Sequence, residues 1–114
     1  MFRLTEEMRF YLYTGKVSLR RGCMSLCEVI RAEMGSNPRD SRNVYVFLNR
    51  ARTIARLIHY ERGFYVMYEK RPESGKFRKP VYDSKSGKYK ISYTDLVCLT
   101  EGVIRAEMRL SGEG

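Results

Sequence analysis

Four side chains in this 114-residue sequence are of types that hold zinc: Cys23, Cys27, Cys98 and His59. Cys23 and Cys27 stand four residues apart, the spacing that puts two ligands on one helical face. The short Cys-x-x-Cys knuckles of structural zinc sites are missing, however, and both thiols fall on an apolar stripe where free cysteine packs as a small hydrophobe. The residues therefore predict no metal site. The carboxylates Glu28, Glu33, Asp40, Glu61, Glu69, Asp83, Asp95 and Glu101 are scattered. A two-metal nuclease needs several of them converging on ions about 4 Å apart, and no spacing here promises that. His59 stands alone in a β-prone run, the setting of a sheet residue rather than a general base. With no Gly-rich phosphate loop and no nucleophile elbow either, the expectation is no catalytic residue, no cofactor and no enzyme.

The cations point elsewhere. Lys and Arg number 22 against 13 Asp and Glu, a net charge of +9. Such an excess on a small domain attracts polyanions over a screening length of roughly 8–10 Å. It is also rich in arginine, which forks onto phosphate, and is set in segments flanked by Tyr and Phe, which stack on bases. The candidate nucleic-acid contacts are Arg20 and Arg21, the group Arg50, Arg52 and Arg56, and Lys76, Arg78 and Lys79. No helix-turn-helix, homeodomain or zinc-finger pattern accompanies them, so phosphate contact with little base specificity is expected. Membrane is the weakest polyanion candidate, because no apolar run approaches the roughly 20 residues of a span. The acidic start, Thr5-Glu6-Glu7, shows no signal peptide. Three cysteines make an odd number with no secreted framework, so a reducing cytoplasm is expected.

The elements that must position these cations read as a single α+β domain over 1–114: an antiparallel β-meander packed by one or two helices. Arg9-Phe10-Tyr11-Leu12-Tyr13 is β-prone and closes on Thr14-Gly15. From Gly22 to about Met34 the residues Cys23, Leu26, Cys27, Ile30 and Met34 repeat with helical spacing, and Gly35 supplies the stop. Residues 36–43 are turn chemistry. The period then changes to two, giving strands over Val44–Leu48, Thr53–Tyr60 and Gly63–Lys70 joined by connections too short for parallel pairing. The predicted core is Leu26, Ile30, Val46, Leu57 and Val66. Residues 72–90 mix Pro, Gly and Ser with Lys76, Arg78, Lys79, Lys85, Lys88 and Lys90, a basic loop or loose hairpin that can fold back over the sheet. Ser92-Tyr93-Thr94-Asp95 then resembles a capping box. The helix behind it carries Leu96, Leu99 and Val103 on one stripe, with Val97, Cys98 and Ile104 on other sides. Leu96, Val97 and Ile104 are accordingly the candidate partner surface. Arg50 and Arg52, two apart, would share a face of an extended backbone that Arg56 continues.

Order and motif together resemble a known family. Tyr11-Leu12-Tyr13 is followed by Ser18-Leu19-Arg20-Arg21-Gly22, then by Phe47-Leu48-Asn49-Arg50-Ala51-Arg52-Thr53 and Leu57-Ile58-His59-Tyr60-Glu61. Gly63-Phe64-Tyr65-Val66, Tyr68-Glu69-Lys70-Arg71, Ile91-Ser92 and Leu99-Thr100-Glu101-Gly102-Val103 complete the series. The chain from about Phe10 to Val103 is similar to the TnpB accessory proteins, the second open reading frame of the insertion-sequence-sixty-six transposons. Two departures stand out. Ser18 occupies a position where that family typically carries Asp, and the stretch from Arg78 to Lys90 is longer and more basic. The resemblance implies a protein needed for efficient transposition while a separate transposase supplies the catalytic carboxylates. The expected function is thus a non-catalytic accessory protein contacting DNA, with the transposase as partner. The alternatives are a protein–protein adaptor for the transposase, docking through the open sheet edge or last helix, and an RNA-binding regulator of the element.

Overall fold

Residues 9–13 and 43–48 are both apolar at nearly every position, unlike strands with one wet face, so the sheet they form must be covered on both sides. The computed structural model, described here for residues 4–82 and 87–104, shows that cover. Its elements run β1 (Arg9–Tyr13), α1 (Cys23–Ala32), β2 (Asn43–Leu48), β3 (Ala55–Glu61), β4 (Phe64–Lys70), β5 (Lys76–Phe77), β6 (Lys88–Ile91), α2 (Tyr93–Glu101) and β7 (Val103–Ile104). The main sheet has the order β4-β3-β2-β1-β6, and β5 pairs with β7 in a separate two-stranded ribbon.

The meander is borne out. β2, β3 and β4 pair antiparallel in sequence, and Arg62 and Gly63 turn the β3–β4 hairpin with φ of 51° and 87°. Two positive φ values in a two-residue loop match the right-handed twist of the flanking strands, and glycine takes the second at no steric cost. The wholly antiparallel sheet is corrected at β1, which runs parallel to β2 with Arg9 opposite Asn43 and Leu12 opposite Val46. The connection from 14 to 42 is long enough for a crossover, and α1 fills it. β1 is closed on its other side by β6, antiparallel, with Phe10 opposite Ile91. The expected basic loop or loose hairpin over 72–90 is likewise corrected: 76–77 and 88–91 are strands, and they pair with β7 and β1 rather than with each other. Lys88 lies in the sheet, its ammonium 4.7 Å from the Tyr11 ring and donating to Ser36 Oγ at 3.0 Å. Lys85 falls outside the described residues.

Alternation sorts the strand side chains onto two faces. Tyr13, Tyr45, Phe47 and Ile58 meet α1 through Leu26, Cys27 and Ile30. Phe10, Leu12, Val44, Val46 and Leu57 meet α2 through Leu96 and Leu99 on the opposite face. Of the predicted core, Leu26, Ile30, Val46 and Leu57 are buried but divided between the two faces, and Val66 on the edge strand β4 is only half-buried. Helix α1 ends near the expected glycine: Gly35 is left-handed at φ 61°, letting the Ser36 N–H reach back to Ile30 O at 3.1 Å.

The predicted cap of α2 forms, with Asp95 N–H donating to Ser92 Oγ at 3.0 Å. The helix stops earlier than expected. Gly102 closes it: its N–H still donates to Cys98 O at 2.9 Å, but its backbone turns extended at φ −81° and ψ 120°, and Val103 and Ile104 leave the helix for β7.

The N-terminal ends of β1 and β2 are locked by polar contacts. Arg9 donates to Asn43 Oδ1 at 2.8 Å and to Asp40 Oδ2 at 3.1 Å. Asn43 Nδ2 donates to Tyr45 Oη at 2.9 Å, and the same hydroxyl donates to Asn37 O at 3.1 Å. Hydrogen bonds from Arg42, side chain and backbone, hold Asp40 down at about 2, with the Arg9 charge adding. A depressed carboxylate contributes stability above its ordinary value near 3.8 and loses it as pH falls through 2. The pairs face solvent, so the contribution is about 1 kcal/mol after screening. Asp40→Asn should therefore unfold at a lower urea midpoint than the parent at pH 5, with the gap closing between pH 4 and pH 2.

Candidate nucleic-acid interface

Since β1 and β2 run parallel, their carboxyl ends lie together, and chain segments leaving them converge. The loop 14–22 leaves β1 for α1, and the connection 49–54 leaves β2 for β3. Ligand crevices of sheets with parallel strands lie outside such carboxyl ends. The 49–54 connection is built by Asn49. Its Oδ1 accepts from Thr53 N–H at 2.8 Å and Ile54 N–H at 2.9 Å, while its Nδ2 donates to Thr53 Oγ1 at 2.9 Å. Asn49 O takes Arg52 N–H at 3.0 Å, and Arg52 adopts a left-handed φ of 59°. Arg52 O in turn accepts from Phe77 N–H at 2.8 Å, which ties β5 to this corner.

Two adjoining clefts open there. The first, about 630 Å³, carries Lys16, Arg50, Arg52 and Lys79 on its walls and no carboxylate. Val17, Leu48, Pro80 and Tyr82 supply apolar surface, and Tyr82 Oη donates to Thr14 O at 3.2 Å. The second, about 650 Å³, is lined by Arg20, Arg50, Arg56 and Arg71, again without a carboxylate. Val17, Ser18, Asn49 and Arg50 belong to both. No ion pair to another described residue ties up Lys16, Arg20, Arg50, Arg52 or Lys79. Arg56 differs: its Nε donates to Glu69 Oε1 at 2.7 Å and its Nη1 to Arg21 O at 2.7 Å, with only 12 % of the side chain exposed. Arg71 shares Glu69 from the other oxygen at 2.8 Å, and hydrogen bonds from Arg71 and Arg56 lower the Glu69 pKa. Arg56 thus braces the approach to α1 with its charge already matched.

The sequence-predicted candidates divide accordingly. Arg50 and Arg52 line one cleft as expected, but through a turn with a left-handed residue rather than through the alternation of an extended strand. Arg56 joins Arg50 in the second cleft and not Arg52 in the first. Arg20 is in the second cleft, whereas Arg21 is exposed outside both and contributes its carbonyl. Lys79 reaches the first cleft. Arg78 turns to a smaller one, about 240 Å³, beside Asp95 and Cys98, and Lys76 is exposed on β5 away from all three. Lys16, Arg71 and Tyr82 escaped the sequence reading. Arg71 had a signal: it lies two residues beyond Glu69, which faces Arg56 across β3 and β4.

For the candidate partner surface, Leu96 is 1 % exposed and belongs to the core, Val97 is exposed, and Ile104 pairs through its backbone with Lys76 in β7. Leu96 is thus removed from that surface. Cys27 is buried in the α1 core, and burial beside Cys23 pushes its thiol up to about 11; Cys98 sits exposed on α2, across the sheet. Among the described residues no three His, Cys, Asp or Glu side chains are grouped to hold a metal ion, and no helix is long and apolar enough to cross a membrane.

The left-handed Arg52 supports a prediction separable from its charge. A non-glycine residue at positive φ costs about 1 kcal/mol. Arg52→Gly should therefore be more stable than Arg52→Ala by about 1 kcal/mol in urea titrations, although both remove the same cation.

No curated protein and no solved structure matches the chain. Residues 8–109 match a family described as IS66 Orf2-like protein, named TnpB of IS66, a span that takes in both clefts and both helices. The chain therefore belongs to the IS66 Orf2-like family of transposon accessory proteins.

Proposed function

We propose that this protein assists insertion-sequence transposition by holding DNA phosphates along the ridge that Arg50 shares between the two clefts. The observation that carries the reading is the convergence of Lys16, Arg20, Arg50, Arg52 and Lys79, unpaired with any other described residue, on walls that include no carboxylate. Phosphate is the ligand such walls favour: three guanidinium forks and two ammonium groups, with no carboxylate among them, attract anions whatever the base sequence. The family is not a known catalytic one, and the bond chemistry of transposition falls in this reading to a separate transposase.

The test is the salt dependence of binding to two duplexes of unrelated sequence. Each neutralised phosphate contributes about −0.9 to the slope of log K against log salt, so four or five contacts give a slope near −4. Equal affinities for the two sequences and that slope are expected; a flat salt response would contradict the reading.

A second reading, an adaptor for the transposase, is favoured by one specific observation. Strand β4, at the edge of the sheet among the described residues, leaves Phe64 70 %, Tyr68 46 % and Met67 38 % exposed, and an edge strand is the arrangement that accepts a strand from another chain. Binding to the transposase that is insensitive to salt and lost in Phe64→Lys would favour it. Tighter binding of an RNA oligonucleotide than of DNA would favour an RNA-binding regulator instead.

A further inference from the structure

Phosphate contact alone does not use the apolar lining of the first cleft. Its walls carry Lys16, Arg50, Arg52 and Lys79 together with Val17, Leu48, Pro80 and the ring of Tyr82. At about 630 Å³ it is within the roughly 300–1,000 Å³ range of sites for small ligands. Tyr82 is 36 % exposed, and its ring is held at both ends: Tyr82 Oη donates to Thr14 O at 3.2 Å, and the Tyr89 ring packs 5.8 Å away. Cations beside an apolar, aromatic-walled surface match the two-part chemistry of a nucleotide, a phosphate beside a flat apolar base. In a duplex the bases are paired and stacked inside, so phosphates reach the cations but no base face is free to meet Tyr82. An unpaired nucleotide reaches both.

We infer that this cleft receives one unpaired nucleotide, its phosphate on Lys16, Arg50, Arg52 and Lys79 and its base against Tyr82. This rests on the phosphate-binding reading above and adds a preference for single-stranded over duplex DNA. With the cations on phosphate and the Tyr82 ring on a base face, the preference is for strandedness and not for sequence. A strand and a free nucleotide share this chemistry.

The experiment measures affinity for a single-stranded 12-mer, for its duplex, for a 12-mer of abasic units and for free dAMP, with the parent, Tyr82→Ala and Tyr82→Phe. Stacking on one aromatic is worth on the order of tenfold in affinity. Tyr82→Ala should weaken the single strand on the order of tenfold, leave duplex and abasic binding within about twofold, and be rescued by Tyr82→Phe, which keeps the ring and loses only the hydroxyl tie to Thr14. If dAMP binds as tightly as the 12-mer and shows the same Tyr82 dependence, the cleft takes free nucleotide and the base site stands. Equal weakening of all three polymers, or no weakening of the single strand by Tyr82→Ala, overturns the inference. If duplex binding persists with its salt slope while the single strand gains nothing, this inference alone fails; if neither polymer binds, the phosphate reading fails with it.

Discussion

Changing Arg50 and Arg52 together to Ala should lower DNA affinity about 30-fold at roughly 0.15 M salt, and equally for unrelated sequences. Two lost phosphate contacts reduce the salt slope by about 1.8, and that slope taken over the interval from 1 M to 0.15 M gives the factor of 30. The two cations stand in one cleft with no carboxylate on its walls, so nothing local substitutes for them. Stability should move by no more than about 0.5 kcal/mol, because Arg50 is exposed and the backbone of the turn is held by Asn49 rather than by either guanidinium. A fluorescence-anisotropy titration over a salt series, beside a urea titration of the same variant, separates the two effects. If the variant unfolds instead, the arginines are structural and the interface is misplaced. Normal DNA binding with loss of transposition through failed assembly would favour the adaptor reading.

The largest stability effect is expected one strand position from this turn. Phe47 is fully buried on the α1 face of β2, its ring centroid 5.6 Å from that of Tyr13. Phe47→Ala removes the ring from a packed core and leaves a cavity that neighbouring strands cannot close, a loss of about 3–5 kcal/mol. Domains of this size are stable by roughly 0.05–0.15 kcal/mol per residue, so that loss takes a large share of the total. Phe64→Ala, at the exposed edge of β4, should change stability by less than about 0.5 kcal/mol. A lower urea midpoint for Phe47→Ala at unchanged m, with Phe64→Ala unmoved, checks the pair.

What could be read in advance follows from range along the chain. The β2–β3–β4 meander was legible because alternation and two short connections are local, and Glu61-Arg62-Gly63 names its own turn. The parallel partner of β1 was not, since residues 14–42 separate β1 from β2 and both strands are apolar on both faces. The β6 strand was hidden for a different reason. Lys88 and Lys90 look like loop residues in a basic run, yet Lys88 uses its long stem to lie over Tyr11, a contact made across the sheet. At the far end, helical spacing carried Val103 and Ile104 past Gly102, and only their pairing with Phe77 and Lys76, far back in the sequence, shows that they leave the helix.

The same logic holds at the site. Arg50 and Arg52 were found because they are neighbours in sequence, although the argument from an extended backbone was wrong about how they meet. Lys16, Arg71 and Tyr82 come from three other segments and reach the clefts only through the fold. Arg56 looked equivalent to Arg52 by parity, and Glu69 on the neighbouring strand claims it.

Backbone amide shifts in a nitrogen-15 NMR titration with a short oligonucleotide locate the DNA-binding face. Amides of 14–18, 49–53, 79, 81 and 82 should shift together, with those of 64–70 on β4 staying in place. Shifts confined to β4 and the exposed side of α2, with the Arg50 ridge silent, would show that DNA does not bind at the two clefts.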